Sequence, residues 1–241
     1  MTGEPRVAQR HGRGNARDGR PVVAVLEMTF GYMKNYSYVV VDPESREALV
    51  VDPAWQMEKI DQALSKAGAR LRGVLLTHAH FDHVHLAASV ARQHGCPIWM
   101  SRAEIAASGF SAPRLVGFEC QPWSIGRLRV EPIWTPGHTP GSVCYVVGDN
   151  AFTGDVLFAE GCGLCPDTQA AYAMFDSLGL LKARLAPQTR VFPGHSYGKP
   201  PGQALSQVSQ DNIYLHFTDR ESFAAYRLRA SQDATKAFAF R

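Results

Sequence analysis

Thr77-His78-Ala79-His80-Phe81-Asp82-His83 places three imidazoles and one carboxylate in the six consecutive positions from His78 to His83. Imidazole and carboxylate are the donor types that suit a divalent cation such as zinc. Burying several of them without a metal or ion partner would cost several kcal/mol. Three more ligand candidates each follow an apolar, strand-like stretch. His138 lies in Thr135-Pro-Gly-His-Thr-Pro-Gly-Ser142, Asp155 in Phe152-Thr-Gly-Asp-Val-Leu-Phe158, and His195 in Phe192-Pro-Gly-His-Ser-Tyr-Gly198. Seven ligands exceed what one metal takes.

In an extended segment residues two apart share a side, so His78 and His80 can approach one cation together, with His138 completing a three-histidine face. Such a face leaves a position open for a water whose pKa falls to about 7. Asp82 and His83 come where the chain turns toward a helix, and they can reach a second cation with His195. Asp155, with two oxygens, is the natural bridge. A bridged pair of metals roughly 3.5–4 Å apart holds a hydroxide and polarises a carbonyl, which is hydrolysis without a side-chain nucleophile. Asp82 and Asp155 are the carboxylates expected at the catalytic centre. The expected cofactor is two divalent ions, zinc first, with iron or manganese as alternatives.

Around these ligands the chain alternates short β-branched runs with helical patterns, the signature of a layered α/β fold. Strands are expected at Val22–Met28, Tyr36–Val41, Ala48–Val51, Gly73–Thr77, Pro97–Met100 and Leu128–Trp134. A hairpin is expected from Val143–Val147 and Ala151–Thr153 through Gly148-Asp149-Asn150, and a further short strand at Arg190–Phe192. Helices are expected at Met57–Ala67, closed by Gly68, at Val84–His94, closed by Gly95, and at about Ala170–Leu185. Each ligand candidate then sits just past a strand end, where open α/β sheets place their sites. The recurrence of strand-then-histidine hints at two similar halves facing one site.

At 241 residues the length suits one large α/β domain. With 45% hydrophobic and 20% charged residues the composition is that of a soluble globular protein, and no apolar run approaches the roughly 20 residues a membrane helix needs. No membrane partner is expected. The net charge of +3 is carried by residues 1–20, where five arginines stand against Glu4 and Asp18. That stretch reads as a disordered basic arm without the apolar core of a secretory signal, and residues 21–241 as the catalytic domain. No aromatic interleaving supports a nucleic-acid partner. Five cysteines, an odd number without framework spacing, suit a reducing, cytoplasmic setting, and Cys162-Gly-Leu-Cys165 stands alone as small thiols in a loop.

The His78-Ala-His80-Phe-Asp82-His83 run, the Gly-His138 and Gly-Asp155 turns and the Gly-His195 turn resemble, in order, the metallo-β-lactamase-fold hydrolases, over about Val22 to Asn212. The resemblance implies a four-layer αβ/βα fold, two mixed β-sheets sandwiched between helices. Asp155, where secreted lactamases supply a cysteine, together with Gly161-Cys162-Gly163, the helix with Met174 to Leu181, Pro193-Gly194-His195-Ser196-Tyr197 and Asn212, is similar to the glyoxalase II-like branch, which hydrolyses a glutathione thioester. Val84-His85-Leu86 departs from that branch, which has glycines there. His85 is then either a contact near the site or an exposed helix residue. Only 29 residues follow Asn212, fewer than the helical domain that holds glutathione in that branch.

A narrower likeness is to the zinc hydrolases encoded with trans-acyltransferase polyketide synthases. It implies a small-molecule or carrier-protein-bound acyl thioester as partner, the thiol being a carrier protein, coenzyme A or glutathione. Tyr197 and Lys199, just past His195, are the candidates for substrate contact. The same fold also houses single-iron persulfide dioxygenases, for which His78, His138 and Asp155 could supply the iron triad. Retention of Asp82, His83 and His195 favours hydrolysis. A nucleic-acid-processing relative would carry a large insert between Asp155 and His195, where only 39 residues lie.

Overall fold

In a strand successive side chains point to opposite faces, and here that alternation sorts the apolar residues into separate cores. The computed structural model describes residues 19–229, so the expected basic arm lies, except for Gly19 and Arg20, outside the described residues. Strands β1 (Val22–Phe30), β2 (Met33–Val41) and β3 (Glu47–Val51) form an antiparallel meander. On β2, Val39 and Val41 face an outer core with Ile60 and Leu64 of α1 (Met57–Ala67). Tyr38 and Val40 face the opposite way, into a core shared with the second half of the chain.

From β3 the sheet continues in parallel through β4 (Arg70–Leu75), β5 (Ile98–Ser101) and β6 (Leu115–Phe118), giving six strands in sequence order. The intervening helices are α2 (Phe81–Val84), α3 (Ala87–His94) and α4 (Arg102–Ser108). A second six-stranded sheet holds β7 (Trp123–Ile125), β8 (Leu128–Trp134), β9 (Val143–Val147), β10 (Asn150–Gly154), β11 (Arg190–Pro193) and β12 (Gln203–Ala204), in the order β12-β11-β10-β9-β8-β7. Only β10 and β11 run parallel, joined through α5 (Thr168–Arg184). The chain then packs α6 (Leu205–Asp211), a 3₁₀ turn at Ile213–Leu215 and α7 (Arg220–Arg227).

Three buried layers follow. One joins the first sheet to α1 and α3 and another joins the second sheet to α5, α6 and α7. Between the sheets lie Tyr38, Leu49, Leu75, Tyr145, Phe152 and Phe192. Burying each of these large side chains stabilises the fold by roughly 1.5–3 kcal/mol. This is the expected four-layer arrangement, with two mixed sheets between helices.

Two expected elements are redrawn. The strand before the histidine run ends at Leu75 rather than Thr77, because Thr77 is held by Asp52. The helix expected at Val84–His94 is broken in two. Asn35 Nδ2 donates to the Asp82 carbonyl at 2.6 Å, and the Leu86 amide donates to the Pro53 carbonyl instead of closing a helical turn on Asp82. The break falls at His85 and Leu86, where the sequence departs from the glycines of the glyoxalase II-like branch. Among the described residues, no helix is long and apolar enough to cross a membrane.

Candidate metal centre

The seven sequence-predicted ligands converge. Past β4 the chain stays extended through His80, whose ψ is 144°, so His78 and His80 lie along one side before α2 lifts Asp82 and His83. His138 comes from the loop after β8, Asp155 from the end of β10 and His195 from the end of β11. Two glycines are required for this approach. A Cβ on Gly194 would stand 2.5 Å from Asp155 Oδ1, and one on Gly154, which has φ +47°, would stand 2.4 Å from Thr77 Oγ1.

Three groups of ligand atoms lie within 4.8 Å of one another: His78/His80/His138, His78/His83/Asp155 and Asp82/His83/His195. His80 Nδ1 lies 3.1 Å from His78 Nε2 and 2.9 Å from His138 Nε2. Asp155 spans both ends of the cluster, with Oδ1 at 3.4 Å from His83 Nε2 and Oδ2 at 3.5 Å from both His138 Nε2 and His195 Nε2. Asp82 Oδ2 is 3.2 Å from His195 Nε2.

The other ring nitrogens decide the tautomers. His138 Nδ1 donates to the Leu164 carbonyl at 2.8 Å and His195 Nδ1 to the Lys34 carbonyl at 2.9 Å. His83 Nδ1 donates to Asp52 Oδ2 at 2.9 Å. Thr77 Oγ1 gives its proton to Asp52 at 2.6 Å and so accepts from His78 Nδ1 at 3.0 Å. In their neutral form these four histidines thereby keep the proton on Nδ1 and direct the Nε2 lone pair into one space. His83 Nε2 and Asp155 Oδ1 are buried there without a hydrogen bond. Buried lone pairs facing one another are costly unless a cation lies between them. The donor set of imidazole and carboxylate fits zinc, or iron and manganese as harder alternatives.

The profile of the Metallo-beta-lactamase superfamily matches residues 31–195. The chain belongs to that superfamily. A relative named probable polyketide biosynthesis zinc-dependent hydrolase PksB, from Bacillus subtilis (strain 168), is 42% identical over 82% of this chain and 89% of its own length. A hydroxyacylglutathione hydrolase from Alkalilimnicola ehrlichii is 34% identical, covering 80% of this chain and 74% of its own. Among solved structures, TTHA1623 in a di-iron-bound form is 28% identical with a TM-score of 0.62, over 79% of this chain and 100% of that one.

Within this metallo-beta-lactamase domain the charges are strongly coupled. Burial pushes Asp155 up, but the neighbouring His195, His83 and His138 hold its carboxyl well below the usual range. Burial lowers His78 and His138, which stay neutral. Burial also opposes charge on His83 and His195, yet the carboxylates around them, Asp155 with Asp52 for His83 and Asp155 with Asp82 for His195, together outweigh it and raise both. A raised histidine contributes stability that is complete below its unfolded pKa of about 6.5 and is lost as pH rises through the folded value. The metal-free protein is therefore expected to lose melting temperature on the alkaline side of about 6.5, whereas the metal-loaded protein holds its own there. Thermal melts across pH, with and without a chelator, check this.

Two residues that sequence reasoning missed support the cluster. Asp52, buried at the end of β3, accepts from the Thr77 amide at 2.8 Å as well as from Thr77 Oγ1 and His83. It sits past a strand end like the ligands, which was the available signal. Glu104 on α4 is 2% exposed and ties the two histidine loops together. Its Oε1 accepts from the Ala79 amide at 2.8 Å, and Oε2 accepts from Thr139 Oγ1 at 2.6 Å and the Gly141 amide at 3.1 Å. No sequence pattern marks it, because its role exists only once α4 packs against both loops. Glu104→Gln, which replaces one acceptor oxygen by a donor, is expected to weaken metal binding by about tenfold, measured by competition with a chelator.

Tyr197 lies at the site's edge, its ring 5.5 Å from Phe158. Burial, then the nearby Asp155, raises its hydroxyl far above the ordinary range, so it stays protonated. Lys199 directs its ammonium to Asp211 and its amide to Glu160. His85 is exposed and packs on Trp55. Cys162 and Cys165 are free, buried thiols raised by desolvation, Cys165 to about 11, which leaves them poor metal ligands.

Proposed function

We propose that this chain is a binuclear, zinc-dependent hydrolase of acyl thioesters, acting in the cytoplasm on an acyl group carried by coenzyme A or a carrier protein in polyketide biosynthesis. The observation that carries the reading is the set of imidazoles locked with Nε2 inward around Asp155, flanked by Asp82. That set divides into His78/His80/His138 and Asp82/His83/His195, with Asp155 between. The similarity to PksB supports zinc and the polyketide setting, and TTHA1623 supports two metals. Five free cysteines support a reducing compartment.

Divalent metal bound here would supply an acidified water and polarisation of the thioester carbonyl. The chain's own residues do the rest. Asp82 and Asp155, both held ionised beside imidazoles, offer acceptors that orient a water in the cleft. Asp52 and the Leu164 and Lys34 carbonyls hold the rings in register. The protonated Tyr197 hydroxyl is a donor for the substrate, and Lys199 is the second candidate contact at that edge. A thiolate leaves without help from an acid, so a site built on metal ligands and carboxylate acceptors suits a thioester better than an amide.

Carrier- or coenzyme-linked acyl thioesters are expected to exceed S-lactoylglutathione in kcat/KM by about tenfold or more, roughly 1.4 kcal/mol of transition-state binding. Metal analysis of protein purified without added metal, followed by that thioester panel, tests the proposal. A tenfold preference for S-lactoylglutathione would move the assignment to a glyoxalase II. Oxygen consumption with a persulfide, by protein holding one iron and cleaving no thioester, would replace hydrolysis by dioxygenation.

A further inference from the structure

Beside the metal centre, and not used by it, stands an exposed aromatic shelf. Phe30, at the tip of the β1–β2 hairpin, and Phe81, between His80 and Asp82, are 62% and 65% exposed. Trp55 joins them. Its ring stacks on Phe30 at 4.8 Å and 14°, meets Phe81 edge-on at 5.4 Å, and lies 4.9 Å from the ring of His85.

The shelf is built in place rather than left over. Trp55 has φ +59°, a left-handed conformation that a bulky residue rarely adopts and that marks functional positions when the surroundings enforce it. Its Nε1 donates to Asn35 Oδ1 at 2.6 Å, and Asn35 Nδ2 donates to the Asp82 carbonyl at 2.6 Å. The buried Asn35 thus fixes both the indole and the backbone of Asp82, so the shelf starts one side-chain relay from the cleft. Lys34 pairs with the Glu27 carboxylate at 3.0 Å, and Lys59 Nζ donates to the Glu27 backbone carbonyl at 2.6 Å. Contiguous exposed rings of this kind mark a binding surface for apolar groups.

We propose that the Phe30–Trp55–His85–Phe81 shelf binds the apolar acyl chain of the substrate and sets its chain-length preference. This rests on the thioester reading above. The acyl chain would lie across the exposed Phe30 and Phe81 rings and the open edge of the indole while its carbonyl reaches the cleft past Asp82.

The test compares acetyl-, hexanoyl- and decanoyl-coenzyme A with the metal-loaded enzyme, and titrates S-decyl-coenzyme A, a thioether that cannot be hydrolysed, into the metal-free protein while following indole fluorescence. Wild-type kcat/KM should rise about tenfold or more from acetyl to decanoyl, mainly through KM. Phe30→Ala, at an exposed hairpin tip, and Trp55→Ala should each flatten that ratio to about twofold or less. The fluorescence response to the thioether should vanish in Trp55→Phe. Thioesters cleaved with no dependence on chain length, together with no indole response, would overturn the shelf and leave the hydrolase. An indole response without cleavage of any thioester would overturn the hydrolase and keep the shelf as an apolar-chain site.

Discussion

Replacing Asp155 with alanine is expected to drop bound metal from near two equivalents to below one and thioester turnover by about a thousandfold or more, since the electrostatic stabilisation at stake is several kcal/mol. Whereas Asp82 reaches two of the ligand imidazoles, Asp155 reaches three. Its oxygens lie at 3.4–3.5 Å from the Nε2 atoms of His83, His138 and His195, so its loss reaches both ends. The same carboxylate is the first of the charges that raise His83 and His195 against burial, ahead of Asp52 and Asp82. Without it those rings should titrate lower, and the alkaline loss of stability in the metal-free protein should shrink. Asp155→Asn separates the effects, keeping the shape and removing the charge. Metal content after gel filtration, steady-state kinetics and pH-dependent melts read all three. A fully active Asp155→Ala protein would remove the bridge, and with it the case for two metals.

How much was legible in the sequence depended on how locally each feature is encoded. His78, His80, Asp82 and His83 share one short run, and His138, Asp155 and His195 each follow an apolar strand with a glycine before the ligand. Both signals survive without tertiary information. The layered fold was readable for a related reason: β2, β3 and β9 alternate apolar residues between two cores, and α1 and α5 are long enough to show helical spacing. Segments Leu115–Phe118, Trp123–Ile125 and Gln203–Ala204 are short, and their pairing at sheet edges is set by neighbours rather than by pattern. The break between α2 and α3 was hidden because a side chain 47 positions away, Asn35, takes the carbonyl that would have continued the helix. Asn212, read as part of a family likeness, turns out to hold the Phe158 and Gly161 carbonyls, fixing the loop that leads to Cys162.

Asp52 is where the second large effect is expected. It accepts three hydrogen bonds, from the Thr77 amide, Thr77 Oγ1 and His83 Nδ1, at 2.8, 2.6 and 2.9 Å. Through them it sets the tautomer of His83 directly and that of His78 by way of Thr77. Removing such an outer partner typically weakens metal binding 10–100-fold, about 1.4–2.8 kcal/mol. The informative substitution is Asp52→Asn, which keeps the volume and one acceptor. If the amide oxygen stays with Thr77, the amide nitrogen faces His83 Nδ1 and makes it an acceptor. The ring proton then moves to Nε2, into the cleft, and blocks the lone pair the metal needs. Asp52→Asn should therefore bind metal as poorly as Asp52→Ala, while its metal-free melting temperature stays closer to wild type. Chelator competition and thermal melts on the two variants measure this. Wild-type metal affinity in Asp52→Asn would mean that the ring orientation is set by packing and that Asp52 serves the fold alone.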